Sequence, residues 1–151
     1  MKGSMILFMS LVLFLQAACS DRDLQKASKS MVVLASTVGE LQKDVIAANE
    51  QKLLSDQAAG EILEVCLKIN AAGKQIDALL RSARQLDSDS RKNLIALLTP
   101  ISQALDPRQL EFIAGIKDPA MKEKIDAAFI FVRTTVASLQ ISLASMASSG
   151  G

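Results

Sequence analysis

The strongest nucleophiles in this chain are two cysteines, Cys19 and Cys66, and there is no histidine to activate either one. The commonest general base and the commonest metal ligand are therefore both missing. Cys66 follows Val65 beside an apolar helical stripe, where the expected role is a small buried hydrophobe. Thiol catalysis there would lack an activating partner. If Cys19 is modified, Cys66 has no intramolecular partner, and a disulfide between two copies is the alternative. If Cys19 keeps its thiol, a Cys19–Cys66 bridge is open.

The acids are no more promising. Glu61 and Glu64, like Glu40 and Asp44, share a helix face as paired catalytic carboxylates would, but solvated faces carry such pairs routinely. Asp87-Ser88-Asp89 begins like a calcium loop. Arg91, however, stands where a third oxygen ligand belongs, and Lys92 and Leu98 replace the glycine and the acid that the loop requires. Capping a helix is the expected task of this segment. No catalytic, cofactor-binding or metal-ligating residue is assigned, no small-molecule substrate is evident, and the expectation is a non-enzyme.

Composition narrows the class further. A chain of 151 residues suits one domain with a sizeable core. Its formal charge is +1, from 17 basic and 16 acidic side chains. Residues 1–18 contain Lys2 and no acid, so the remainder carries 16 of each sign and is neutral. Without a basic block, Trp or Tyr, the chain has neither the electrostatics nor the stacking platforms expected of a nucleic-acid binder.

The first eighteen residues form an export signal by pattern. Lys2 supplies a short positive region, Met5 to Leu15 is an apolar run interrupted only by Ser10, and Gln16-Ala17-Ala18 brings small residues to a cleavage point before Cys19. The run is too short for a membrane span of about 20 residues. Ala17-Ala18-Cys19-Ser20 resembles the lipobox of bacterial lipoproteins, with Gln16 where that family favours Leu and Leu15 one place further back. The resemblance covers only this leader. It implies that Cys19 is lipidated, palmitate-type acyl chains included, and becomes the mature N-terminus. Ser20, where an Asp would signal inner-membrane retention, implies an outer-membrane protein facing the periplasm. Residues 19–23 then form a short lipidated tether, and two or more acyl chains would hold it stably.

The remaining elements are helical. Leu24, Ala27, Met31, Leu34, Val38, Leu41, Val45 and Ala48 alternate steps of three and four. Ala58, Ile62, Val65, Ile69, Ala72, Ile76, Leu79, Ala83 and Leu86 do the same, as do Ile125, Phe129, Val132, Val136, Leu139, Leu143 and Met146. Such stripes are the seams of a coiled coil or an antiparallel bundle. The expected fold is all-α: a bundle of long heptad-patterned, coiled-coil-like antiparallel helices over 24–147, with a disordered tail at 148–151.

Between the first two seams the phase slips over 49–57. Either a turn lies there, with Ser55 or Asp56 capping the next helix, or one long helix absorbs a stutter; no Pro or paired Gly marks a break, and Gly60 sits too late to cap a helix at Asn49, which tilts the expectation towards a continuous or bent helix. Asp87 to Ser90 should cap a helix starting near Arg91 with Leu94, Leu97, Leu98, Ile101 and Leu105 on one face. A kink or restart is expected at Thr99-Pro100. Asp106-Pro107 and Asp118-Pro119 should open a short helix, 107–116, and a long one, 119–147.

Ala127 to Ala147 contains a single charge, Arg133, and would span about 31 Å as a helix. Its polar residues and heptad stripe favour a central bundle helix contacted on most sides. The expected function is a lipid-anchored interaction module that uses helix faces towards a protein partner or a second copy. The alternative is a membrane-active protein, of pore or lysis type, that inserts 127–147.

Overall fold

In the computed structural model the backbone is described for residues 3–148 and the side chains for residues 22–145. The expectations for the leader 1–18, for Cys19 and for the tail 148–151 lie outside the residues with described side chains. The chain forms α1 (Gly3–Glu50), α2 (Asp56–Ser82), α3 (Ser88–Ala104), a 3₁₀ helix (Pro107–Gly115) and α4 (Pro119–Ser148). No strand occurs among the described residues.

Each helix turns its stripe inward. On α1 the buried residues are Ala27, Met31, Leu34, Val38, Leu41, Val45 and Ala48, with Leu24 partly covered at the end of the row. Ile62, Val65, Ile69, Ala72 and Ile76 answer from α2, and Leu94, Leu98 and Ile101 from α3. From α4 come Ile125, Phe129, Val132, Val136 and Leu143. Burying each large aliphatic chain contributes roughly 1.5–3 kcal/mol, which short helices need because propensity alone leaves them marginal. The four helices form a closed ring: α1 touches α2 and α4, and α3 touches the same two. The all-α bundle therefore holds one continuous apolar core.

Several boundaries differ from the sequence expectation. The helix does not run through 49–57: residues 51–55 form a turn between α1 and α2. Lys52 takes a left-handed backbone, φ 61°. The Lys52 N–H then bonds to the Asn49 carbonyl and the Leu53 N–H to the Ala48 carbonyl, at 2.9 Å each. This is a Schellman-type stop with lysine where glycine usually sits. Leu54 drops into the core, and the Ser55 hydroxyl accepts from the Ala58 N–H at 3.1 Å to start α2.

α3 begins at Ser88, three residues before Arg91, because Asp87 and not a later residue is its cap: its carboxylate accepts from the Ser90 N–H at 2.8 Å. It does not restart at Pro100 but runs through to Ala104. The short helix expected after Asp106 forms over Pro107–Gly115, as a 3₁₀ helix. Its capping Asp106 binds the Arg108 N–H at 2.9 Å, and Asp118 opens α4 by accepting from the Met121 N–H at 2.7 Å.

Candidate interaction surface

α4 packs its seam against α1 and α3 and leaves the opposite face open. Ile130, Phe131 and Ile141 are 53%, 42% and 70% exposed. Ala127, Thr134, Ala137 and Ser138 lie exposed along the same side. Successive steps of four and three bring Ile130, Thr134, Ala137 and Ile141 onto one line along the helix. Arg133 is the only charge between Ala127 and Ser145. Over Pro119–Ser145 the helix is long and apolar enough to cross a membrane, yet only 22% of its most apolar stretch is buried. The expected central helix, contacted on most sides, is thus corrected: α4 is one of four peripheral helices, because the ring leaves no central position.

Of the clefts on the bundle surface, two concern the acids of α2 and the open side of α4. One, of about 660 Å³, lies among α2, α3 and the 3₁₀ helix, where Glu61, Glu64 and Glu111 face Lys68 and Arg108. The other, of about 500 Å³, lies between α1 and α4, with Lys26 and Lys29 on one wall and Thr134, Thr135 and Ser138 on the other. The first has mixed charge, and its acids are engaged in part: Glu64 pairs with Lys68 at 2.8 Å and Glu61 accepts from Gln57 at 3.1 Å. The hydrogen bond and charge of Lys68 hold the Glu64 carboxyl below its ordinary value.

The other sequence candidates have structural tasks. Asp44 pairs with Lys124 across helices at 2.8 Å, while Glu40 stays exposed on the same helix. The Asp87 carboxyl lies below its ordinary value, chiefly through the Ser90 backbone N–H, as a helix cap does. Cys66 is buried in the core, and burial pushes its thiol up to about 11. A thiol so protonated is a poor nucleophile at neutral pH. No cluster of three potential metal ligands occurs among the described residues.

Sequence reasoning missed the open α4 face and the α1–α4 cleft. The signal for the first was present, since the seam explains one side of α4 and the long interval with Arg133 as its single charge concerns all sides. Comparison with known protein families, curated proteins and solved structures finds no match.

Proposed function

We propose that this chain is a lipid-anchored protein of a bacterial cell envelope, held by acyl chains on Cys19, that acts as an interaction module through its helix faces. The leader 1–18 and the lipobox-like Ala17-Ala18-Cys19-Ser20 support the anchor, and Ser20 supports the periplasmic side of the outer membrane. The observation that carries the interaction is the open face of α4. Ile130 and Ile141 stand in water there, with Ala137 small enough between them for another helix to approach closely. Covering apolar surface is favourable by roughly 25 cal/mol per Å². A partner helix, from another protein or a second copy, would gain that on docking.

The finer architecture belongs to the same proposal: long helices paired antiparallel with coiled-coil-like packing. Asn49 meets Asp56 at 3.0 Å, Gln42 meets Asn70 at 3.1 Å, and the Met31 methyl lies against Gly73. These contacts descend α1 as they climb α2, which supports that pairing.

The experiment is site-specific crosslinking in the envelope, with a photoreactive residue in place of Thr134. A discrete crosslinked species that disappears in Ile130→Asp and Ile141→Asp variants supports the module. A face that crosslinks to nothing, or equally in those variants, contradicts it.

A second, membrane-active function draws on the low burial of α4 and its apolar length. In this alternative 127–147 leaves the bundle for a bilayer. Leakage of dye-filled vesicles on addition of the protein, abolished by Ile141→Asp while the thermal melt is unchanged, would favour it over docking.

A further inference from the structure

Where α1 meets α4, the cleft between Asp23–Ser30 and Phe131–Leu143 has two unlike walls. Lys26 and Lys29 stand on the α1 side, and Arg22 precedes Lys26 by one turn on the same face. All three are exposed, and the ion pairs formed among the described residues involve other side chains. Asp23 is the one acid at the rim. Lys26 and Lys29 against Asp23 leave the cleft a net positive charge, with Arg22 one turn further along the same helix, although the chain beyond the leader is neutral as a whole.

The α4 wall carries no charge and offers the hydroxyls of Thr134, Thr135 and Ser138. Beneath them the cleft is apolar, lined by Ala27, Leu139 and Leu143. A cationic rim, a row of hydroxyl donors and an apolar floor match an amphiphile with a phosphate at one end and hydrocarbon at the other. They do not match a free inorganic anion, which has no use for the floor, or an apolar peptide, which has none for the lysines.

Position points the same way. Arg22 lies three residues beyond Cys19, so the cleft opens at the end of the bundle where the proposed anchor meets the membrane. We infer that this cleft takes one anionic phospholipid from the bilayer. Its phosphate sits among Lys26, Lys29 and the α4 hydroxyls, and its acyl chain lies along Ala27, Leu139 and Leu143. Access to the lipid rests on the anchored function proposed above; the preference for an anionic headgroup rests on the cleft alone.

Native mass spectrometry tests this on the protein purified from its own envelope in detergent. The micelles are doped with equal amounts of dioleoyl phosphatidylglycerol and dioleoyl phosphatidylcholine. The expected result is a one-lipid adduct favouring phosphatidylglycerol by about thirtyfold, in line with the attraction of two lysines for an anionic headgroup. Lys26→Glu/Lys29→Glu, two exposed positions whose exchange leaves the melt unchanged, should bring that ratio to about one. Excess inorganic phosphate should leave the adduct in place. Equal adducts for the two lipids, a preference that survives the double substitution, or displacement by phosphate would each overturn the inference. The N-terminal mass, read in the same experiment, reports the acyl anchor separately. An unacylated protein that still selects the anionic lipid would remove the anchor and keep the cleft.

Discussion

Lys124 on α4 holds its Nζ 2.8 Å from Oδ2 of Asp44 on α1, and among the described residues this is the ion pair that joins two helices. The other two, Glu64–Lys68 and Asp77–Arg81, stay within α2. The Lys124–Asp44 bridge is substantially exposed, and exposed pairs contribute about 0–1 kcal/mol. Lys124→Ala is therefore expected to lower the thermal midpoint by no more than about 2–4 °C at this chain length. A collapse of the fold in that variant, followed by circular dichroism, would mean that charge and not packing holds α1 to α4.

Packing carries the opposite expectation. Val136 is fully buried on α4 and Val65 nearly so on α2. An aspartate at either site places an unpaired charge in the core, and each variant should lose about 3 kcal/mol or more. Denaturant midpoints shifted by less than that would show the two positions to be accessible.

The turn between α1 and α2 allows a test of the backbone. Lys52 adopts φ 61°, where a side chain is disfavoured, so Lys52→Gly should stabilise by roughly 0.5–1 kcal/mol. Removing the cap beyond it, by Ser55→Ala, should cost about 1 kcal/mol. A glycine variant less stable than the parent in urea titration would show that Lys52 contributes more through its side chain than its backbone costs.

What could be read from the sequence follows from these same residues. The α1 stripe from Ala27 to Ala48 is buried as spaced, because a period near 3.5 places a whole row on one face whatever the neighbour is. On α2 the row shifts at both ends: Ala59 and Leu80 are buried, and Ala58 and Leu79 are only partly covered. Near the turns a different neighbour decides which side of the helix is inside. The turn itself was hidden because lysine took the left-handed position that glycine would have announced. The α1–α4 cleft depends on which helices become neighbours, and Lys26 and Thr134 carry no local sign that they will share one space.

Cys66 gives a pH dependence. Its thiol is pushed up to about 11 in the folded protein by burial, above the value in an unfolded chain. A group raised in this way contributes stability that is fully present below the unfolded value, about 8.5, and is lost as pH rises through the folded one. Stability should therefore fall between about pH 8.5 and pH 11 in the parent and less steeply in Cys66→Ala. At pH 8 the thiol should react with a disulfide reagent only as fast as the bundle opens. Immediate stoichiometric labelling of the native protein would contradict the buried placement.

The exposed residues of α4 should separate binding from folding. Ile130→Asp and Ile141→Asp replace side chains that are already more than half in water, and surface changes of this kind usually fall within about 0.5 kcal/mol. Both variants should melt like the parent while losing the envelope crosslink at position 134. A parallel loss of stability would assign this face to the core.

The anchor itself is decided by the mass of the mature N-terminal peptide from protein extracted out of its native membrane. The expected peptide begins at Cys19 and carries acyl chains. A peptide beginning elsewhere, or Cys19 without acyl mass, would contradict it.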